Sequence, residues 1–476
     1  MKTIHSPPEE ERGYPELLAF LHGCREEARK SGSFRIATIS LRVGRIDPLA
    51  VLESIFEPSE HHFYLEKKDR EEAIAGADAV VIHLADGPDR FKKARAFIDD
   101  VLERTICIGD LDAPRTGPHF FCSFSFFDDP GADSPFPGVT VFLPRWQVSR
   151  VGSDYSATAN LRIDVDSELE PMAEKVWRAH QRFSAFKFRK NNPSIDAAQP
   201  CTASVIPAGE EVRRDFEKSV ENALDLIRKK RFQKVVLARY LDVEMPMELN
   251  PLHALNRLRM AYPNCFTYSV ANGRGQSMIG ASPERLARRQ GDILETEALA
   301  GSAPRGATAV EDAAFAEELL DSAKDVWEHQ LVIDAISRRL RNLSVECEPA
   351  AHPDLLQLAN VQHLRTAFTG KFLGDSHLLD VIAALHPTPA VGGTPREAAY
   401  DAIAELETFP RGLYTGAIGW IDSCGNGDFA VAIRSTLVDG ARARAYAGAG
   451  IVEGSIPARE WNETEVKLRA VLEVLT

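Results

Sequence analysis

The fold is indicated most clearly by residues 425–467, GNGDFAVAIRSTLVDGARARAYAGAGIVEGSIPAREWNETEVK. Gly-Asn-Gly at its start, between alternating apolar and polar residues, indicates a tight hairpin turn. We expect a meander of strands at 413–421, 429–438 and 444–452. The segment 457–475 repeats apolar residues at helical spacing, so a closing helix should follow the last strand.

Upstream of this stretch the same alternation of hairpins and helices continues. A helix is predicted near 212–227, a β-branched strand at 234–239, a hairpin at 278–299 and a long helix at 312–341. The N-terminal half predicts a helix and several strands, at 16–28, 34–41, 62–65, 119–126 and 140–144. Because helices separate antiparallel hairpins, the pattern favours an α+β fold with large antiparallel sheets over a parallel βαβ sheet.

Two acidic pairs at i,i+3 spacing lie on the predicted helices. Asp325 and Glu328 form one pair, and Glu460 and Glu463 form the other. Residues three apart share a helix face, so each pair presents two carboxylates together. Four converging carboxylates need a counter-ion, and oxygen ligands suit Mg²⁺, which keeps waters and takes ligands from its substrate. The alternative is two ordinary solvated helix faces.

Composition limits the possible functions. The chain has 476 residues, a net charge of -14 and 44% hydrophobic residues. That charge argues against nucleic acid or an anionic membrane as a partner, and no run of about 18 apolar residues predicts a membrane span. The start lacks the pattern of a signal peptide, and seven dispersed cysteines without C-x-x-C spacing indicate buried, reduced thiols. We therefore expect a cytoplasmic protein.

One soft boundary divides the chain. Residues 187–208 are rich in Asn, Pro and charged residues, which is typical of a connecting segment. We expect residues 1–205 to form an N-terminal part of the fold and residues 206–476 to form the catalytic region. The N-terminal part contains no set of residues that we can connect to chemistry.

Three charged residues in apolar surroundings are candidates for chemistry. Lys234 lies in a strand with Val236 and Ala238 on its face, so it either reaches out from a sheet edge or is desolvated enough to act as a general base. Glu284 follows Gly280-Ala281-Ser282-Pro283 and is either a general acid or an exposed carboxylate at a strand end. Arg434, in the apolar FAVAIRSTL, requires a substrate carboxylate or a protein acid opposite it.

Several other residues have two interpretations each. Gly301, Gly448 and Gly450 allow close approach of a ligand to the backbone, or simply serve turns and bulges. Tyr414 and His363, on predicted strands or strand ends, are ligand contacts or satisfied core residues. Lys467 lies four residues after Glu463, which also fits an ordinary helix ion pair.

Taken together, these segments resemble the chorismate-utilising enzymes, and among them the isochorismate synthases. The resemblance covers nearly all of residues 210–475, whereas the N-terminal half matches only loosely. Its motifs occur in the family order: RFQKVVLAR, IGASPERL, EALAGS, LDSAKDVWEH, VQHL, HPTPAVGGTPR, RGLYTGAIGW, GNGDFAVAIRS and AGAGIVEGSIPAREWNETEVK. The resemblance implies the fold of anthranilate synthase component I, with chorismate and Mg²⁺ in a cleft.

The resemblance also implies roles for individual residues. Lys234 matches the base that deprotonates the attacking water, and Glu284 the acid that protonates the departing C4 hydroxyl. Glu328 and Glu463 match the metal ligands, with Asp325 and Glu460 holding metal-bound water. The remaining matches form the substrate pocket, with Arg434 and Tyr414 at the enolpyruvyl carboxylate: Gly301, Ser302, His363, Tyr414, Arg434, Gly448, Gly450 and Lys467. Ser302 replaces a threonine that is common in relatives and keeps the hydroxyl.

The family members differ in the nucleophile that they admit. Ala300 stands where aminodeoxychorismate synthases have a nucleophilic lysine, and Lys234 favours water over ammonia. A salicylate synthase, which also eliminates pyruvate, is the alternative, and residues 386–391 favour isochorismate synthase over it. A chorismate-binding relative without catalysis and a carboxylate di-metal oxidase fit less well, because no catalytic position is substituted and Glu460-x-x-Glu463 lacks the histidine. The sequence leaves open the oligomeric state, the role of the N-terminal half and the use of the product in menaquinone, siderophore or salicylate synthesis.

Overall fold

The computed structural model describes residues 1–4, 13–184, 204–205, 209–343, 345–374 and 376–475, and in these helices and strands alternate. The helices are α1 (Tyr14–Ser31), α2 (Pro48–Ser54), α3 (Arg90–Glu103), α4 (Leu169–Ser184), α5 (Glu210–Arg228), α6 (Pro251–Ala261), α7 (Ala309–Asp321), α8 (Ala323–Arg341), α9 (Leu378–Leu385), α10 (Arg396–Leu406) and α11 (Pro457–Leu472). The strands are β1 (Lys2–Thr3), β2 (Arg35–Arg42), β3 (His62–Lys67), β4 (Glu72–Ala85), β5 (Thr105–Gly109), β6 (His119–Phe124), β7 (Val139–Val151), β8 (Asp154–Ile163), β9 (Ser204–Val205), β10 (Lys234–Glu244), β11 (Phe266–Ala271), β12 (Gln276–Ser282), β13 (Arg285–Gln290), β14 (Ile293–Pro304), β15 (Val345–Pro349), β16 (Asp354–Gln357), β17 (Val361–Phe372), β18 (Gly393–Thr394), β19 (Ala417–Asp422), β20 (Gly427–Val431), β21 (Ser435–Asp439) and β22 (Arg442–Val452).

The strands form large, mostly antiparallel sheets, as the sequence predicts. β10 pairs with β22 along its whole length, from Lys234 opposite Val452 to Glu244 opposite Arg442. β14 pairs with β17, and β4 with β7, also antiparallel. Among the described strands, parallel pairing occurs where β5 meets β1 and β2. The α+β class is confirmed.

Strands from the two halves of the chain pair with each other. β3 pairs with β11, and β6 with β19, both antiparallel. The main-chain hydrogen bonds of these sheets therefore join the two halves directly. The predicted boundary at 187–208 lies outside the described residues, apart from the short strand β9.

Helices cover the sheets through apolar faces. In α5 the buried residues are Phe216, Val220, Ala223, Leu224 and Ile227, at the predicted spacing, whereas Val212 at the start is 43% exposed. These side chains pack with Val235 and Leu237 of β10 and with Trp461 of α11 in one cluster. The cluster holds α11 against the sheet that carries Lys234.

Four predicted elements around the candidate site are interrupted or begin later than predicted. The predicted strand 278–288 is interrupted at Pro283 and Glu284, where β12 changes to β13. The predicted strand 429–438 is interrupted before Arg434, whose φ of 52° is left-handed and cannot continue a strand. The predicted helix 312–341 is two helices, because Ser322 (ψ 108°) leaves the helical region and caps α8. The strand predicted from 413 begins at Ala417, after a turn that contains Tyr414.

No helix in the described parts of the chain is long and apolar enough to cross a membrane. The six cysteines in those parts are free thiols. Four of them are buried as predicted (Cys24, Cys107, Cys122 and Cys265), Cys347 is half-buried, and Cys424 is exposed. Cys201 lies outside the described residues.

Candidate active site

A cavity of about 690 Å³, including the space at its mouth, lies between β10, β14, β22 and the helices α8 and α11. The residues that line it include twelve of the fourteen candidates: Lys234, Glu284, Gly301, Ser302, Glu328, His363, Tyr414, Arg434, Gly448, Gly450, Glu463 and Lys467. Asp325 and Glu460 do not line it.

Lys234 is the first residue of β10, and its side chain is 1% exposed. It pairs with Val452 on one side and Thr394 on the other, so the strand is not a sheet edge. The edge alternative is therefore wrong. The ammonium lies 2.8 Å from Oε1 of Glu328, and this carboxylate compensates the buried charge.

Glu284 lies in the break between β12 and β13 and is 2% exposed. The alternative of an exposed carboxylate at a strand end is therefore wrong. Burial raises the pKa of this carboxyl to about 8, although the hydroxyl of Thr388 donates a hydrogen bond to Oε1 at 3.1 Å, which opposes the rise. The nearby Glu297 raises the pKa further, and Lys234 lowers it. At neutral pH this carboxyl is therefore mainly protonated.

Arg434 ends a short chain of polar contacts across the cavity. Its Nη2 lies 3.2 Å from Nε2 of His363, and the other ring nitrogen of His363 lies 2.9 Å from Oγ of Ser302. Burial, followed by the charges of Arg434 and Lys467, lowers the pKa of His363 well below its usual value. The imidazole is therefore neutral and can accept from the guanidinium. Burial also lowers the pKa of Arg434, and among the described residues no carboxylate forms an ion pair with it.

Tyr414 is 3% exposed and stacks on Tyr446, with ring centroids 5.0 Å apart. Its neighbour Thr415 has a φ of 61°, a left-handed conformation that is rare outside glycine. The hydroxyl oxygen of Tyr414 would lie 3.1 Å from a Cβ at Gly448. Tyr414 therefore forms part of the wall opposite β22.

The glycines among the candidates leave space where a side chain would collide. A Cβ at Gly450 would lie 2.5 Å from Oε1 of Glu328 and 3.2 Å from Cε of Lys234. Gly301 occupies a bulge where the β14–β17 register shifts, with a φ of 76°, and a Cβ there would lie 3.2 Å from Cβ of Asp325. The absence of side chains at these positions keeps the cavity open.

The four acidic candidates divide into two groups. Glu328 and Glu463 line the cavity, and each contacts a lysine: Glu328 contacts Lys234, and Glu463 lies 2.5 Å from Lys467. Lys467 also donates to the carbonyl oxygen of Gly448 at 2.8 Å. Asp325 accepts from the hydroxyl of Ser322, and Glu460 lies 3.1 Å from Lys324. Both pairs are thus in or near the cavity, and the solvated-face alternative is wrong for Glu460, which is 2% exposed.

These acids influence one another. Burial is the largest influence on Asp325, and it raises the pKa of this carboxyl. The hydrogen bond from Ser322 lowers that pKa, whereas the charge of Glu328 raises it, and the net effect is a raised pKa. Burial and Glu463 likewise raise the pKa of Glu460. Burial acts to raise the pKa of Glu463 too, but Lys467, Lys324 and Arg434 together outweigh it, and that pKa is lowered. In the part of the chain that the structure describes, no three His, Cys, Asp or Glu side chains converge on a common metal position.

Two nearby residues were not among the sequence candidates. Thr388 contacts Glu284, and Lys324 compensates Glu460. Thr388 lies in the motif HPTPAVGGTPR, but that motif predicts no role for it. Lys324 directly precedes Asp325, but charge adjacent in sequence does not predict a partner 136 residues away. Both contacts depend on the tertiary structure.

The comparisons with known proteins agree with this geometry. The family model described as chorismate binding enzyme matches residues 20–476. The isochorismate synthase MenF of Bacillus subtilis is 34% identical over 370 residues, which are 77% of this chain and 76% of that protein. The salicylate biosynthesis isochorismate synthase of Pseudomonas aeruginosa is 44% identical over 271 residues, which are 56% of each chain.

A solved structure matches most of the chain. The menaquinone-specific isochorismate synthase MenF of Escherichia coli superimposes with a TM-score of 0.75 at 25% identity, and the match covers 96% of this chain and 100% of that one. Both the sequence and the fold therefore lead to the same group of proteins. The chain belongs to the chorismate-binding enzyme family and, within it, to the isochorismate synthases.

Proposed function

We propose that the cavity interconverts chorismate and isochorismate by adding water at C2 as the C4 hydroxyl departs. The observation that carries this proposal is the presence of a buried lysine and a buried, mainly protonated glutamic acid in the lining of one cavity. The reaction needs one group to take a proton from water and another to give a proton to a leaving hydroxyl. Lys234 and Glu284 are of these two types.

The substrate is a dianion, and the cavity offers cations for it. Arg434 has a neutral histidine as its neighbour and no protein acid paired with it in the described residues, so a substrate carboxylate satisfies it best. Tyr414 lies on the same side and can donate its hydroxyl to that carboxylate. His363 and Ser302 hold the guanidinium in place through the contacts described above.

Glu284 supplies the proton for the departing hydroxyl. A carboxyl with a pKa of about 8 retains its proton at neutral pH, which a solvated glutamate does not. The Thr388 hydroxyl donates to the carboxylate that remains after transfer and thereby stabilises it. The oxygen leaves C4 as water, and the bond to C2 forms as the ring double bonds shift.

Lys234 takes the proton from the attacking water, which requires the neutral amine. In the structure Glu328 compensates the ammonium. A ligand that draws the Glu328 carboxylate away from Lys234 would free the Lys234 nitrogen for contact with the attacking water.

Glu328 and Glu463 fit Mg²⁺ as ligands. Mg²⁺ commonly takes one or two protein carboxylates and completes its shell with substrate and water, so it does not require a three-residue cluster, and the described residues form none. Burial raises the pKa values of Asp325 and Glu460, and the charges of Glu328 and Glu463 raise them further, a repulsion that a divalent cation would relieve. When bound, the cation would withdraw charge through the ring carboxylate of chorismate and assist departure of the C4 hydroxyl. Asp325 and Glu460, which do not line the cavity, would hold the water molecules bound to the cation.

Analysis of the products tests the proposal. Purified protein with chorismate and Mg²⁺ should give a mixture of chorismate and isochorismate, because one hydroxyl leaves as another enters. Ammonium should give no aminated product. Chromatography distinguishes the alternatives: salicylate together with pyruvate would make the protein a salicylate synthase, and binding of chorismate without conversion would make it a non-catalytic relative.

The proposal also covers the pathway that uses the product and the compartment of the protein. The relatives include a menaquinone-specific isochorismate synthase and a salicylate biosynthesis isochorismate synthase, so either pathway is compatible with this chain. Free thiols at all six described cysteines suit a reducing cytoplasm.

A further inference from the structure

Arg411 is completely buried beneath the cavity wall, without lining the cavity. Its guanidinium uses all its donor groups. Nε and Nη2 donate to the two carboxylate oxygens of Glu407 at 2.8 and 2.6 Å, and the Phe126 ring lies 4.2 Å away. The remaining acceptors are the carbonyl oxygens of Val236 (2.7 Å) and Val391 (2.9 Å) and the hydroxyl of Thr415 (3.3 Å).

The three acceptors other than Glu407 are on three separate segments, and each of them lines the cavity. Val236 is two residues from Lys234 and on the same face of β10. Thr415 follows Tyr414 directly, in the left-handed conformation described above. Arg411 therefore contacts the strand of the base and the turn that presents Tyr414.

The third segment is the loop that contacts the acid. Val391 and Gly392 both donate their N–H groups to the carbonyl oxygen of Thr388, so these residues form one turn. Gly392 in turn accepts from the N–H of Val236. By holding the Val391 carbonyl, Arg411 fixes the turn from which Thr388 reaches Glu284.

Glu407 contributes a further attachment to β10. Its Oε1 accepts from the N–H of Ala238 at 2.7 Å, in addition to the Arg411 hydrogen bond. The ion pair thus contacts the same strand at Val236 and Ala238. Buried ion pairs contribute little net stability compared with well-packed apolar residues, so five specific acceptors indicate a role in geometry.

We propose that Arg411 and Glu407 form a positioning pair that sets the spacing between the Lys234 strand, the Thr388 turn and Tyr414. The inference rests on the proposed function, because it concerns the groups that would carry out that reaction. Displacements of about 1 Å in such groups can reduce turnover by about 10²-fold. Neither residue touches the substrate, so neither is a catalytic residue.

The double variant Arg411→Met/Glu407→Gln tests the pair. It removes both charges together, and the new amide oxygen at position 407 keeps an acceptor for the N–H of Ala238, so the variant should fold. We expect kcat for chorismate conversion to fall by about 10²-fold, by more than KM changes, while the melting temperature stays above the assay temperature. A folded double variant with the kcat and KM of the wild type would overturn the proposal.

A conservative variant covers the case in which the double variant does not fold. Arg411→Lys keeps an ion pair with Glu407 but cannot reach all five acceptors, because its single ammonium replaces a planar fork. Its kcat should fall by about tenfold, between wild type and double variant. Unchanged kcat in this folded variant would also overturn the inference.

A control removes another bidentate Arg–carboxylate pair, which is half-buried and lies elsewhere. Arg259 donates to both carboxylate oxygens of Asp47, at 2.9 and 2.7 Å, and neither residue lines the cavity. Arg259→Met/Asp47→Asn should keep kcat within about twofold of wild type whatever its melting temperature. A wild type that does not convert chorismate would refute the proposed function, whereas an active wild type with unaffected variants refutes this inference alone.

Discussion

Lys234 and Glu284 are equally buried in one cavity, but their partners differ. Lys234 faces the Glu328 carboxylate at 2.8 Å, so an opposite charge compensates its ammonium. Glu284 accepts from the neutral Thr388 hydroxyl at 3.1 Å, and burial raises its pKa to about 8. A hydroxyl cannot neutralise a carboxylate, so Glu284 keeps its proton instead. Whether a buried group is charged or neutral thus depends on whether its partner is charged or neutral.

The largest effect should come from removing the divalent cation on the Lys234 side. Treatment with EDTA should reduce chorismate conversion to background, and added Mg²⁺ should restore it, because Glu328 and Glu463 are proposed to hold the cation. Glu463→Gln should show the same loss without rescue at ordinary Mg²⁺ concentrations. Activity that survives exhaustive chelation would show that the two carboxylates serve only as partners of Lys234 and Lys467.

Replacing the acid or the base should have the next largest effect. Lys234→Ala and Glu284→Gln should each lower kcat by about 10²–10⁴-fold, the usual contribution of general acid–base groups. Chorismate binding should persist in Glu284→Gln, which calorimetry can measure. If Lys234→Ala turns over normally, another group activates water, and the two sides of the cavity do not divide the acid and base roles in this way.

A methyl group at Gly450 should disturb the Lys234 side alone. In Gly450→Ala the new Cβ would lie 2.5 Å from the Glu328 carboxylate, so that carboxylate must leave the position from which it is proposed to hold the cation. We expect kcat to fall by about 10²-fold, as for other displacements near 1 Å. Gly23→Ala is the control: no atom of the described residues lies near its Cβ in the exposed middle of α1, so activity should be unchanged and stability should rise by about 0.5–1 kcal/mol. Equal activities in the two variants would contradict the prediction.

The smallest effect should come from removing the hydrogen bond that Thr388 donates to Glu284. The proposed acid must be protonated, so kcat/KM should fall as the pH rises through about 8. The Thr388 hydrogen bond lowers the pKa of Glu284. Thr388→Val should therefore shift this limb of the profile to higher pH and reduce kcat by roughly tenfold, because the conjugate base loses a hydrogen bond. Thr388→Ser should restore the profile, and an unmoved limb in the valine variant would assign it to a group other than Glu284.

The local periodicity of the sequence predicts about half of the helices and strands and misses the breaks at the site. Glu284, Ser322 and Arg434 each interrupt an element whose apolar pattern continues across them. The reason is that periodicity reports which residues are buried, and that pattern continues through these three positions. The direction of the backbone changes at them, and periodicity does not report it. At Arg434 the chain changes from pairing with β13 and β19 to pairing with β12 and β22. Only the surrounding strands can hold the left-handed φ of 52° that this change requires.

The family motifs predict which residues gather, and the cavity contains twelve of those fourteen residues. They do not predict the partner of each charge. Glu328 contacts Lys234, Glu460 contacts Lys324, and Glu463 contacts Lys467, but only the last pair is close enough in sequence to be anticipated from helix spacing. The partners in the other two pairs lie 94 and 136 residues apart in the sequence, so these contacts depend on how α8 and α11 pack against β10.

The α+β class, the family and the set of candidate residues can be read from the sequence, because they follow from local patterns and motif order. The three-dimensional packing is needed to know which charges are compensated, which carboxyl stays protonated and where Arg411 and Glu407 attach to the cavity wall. Charge compensation and pKa depend on distances and burial between segments remote in the chain. No local pattern in the sequence contains those distances.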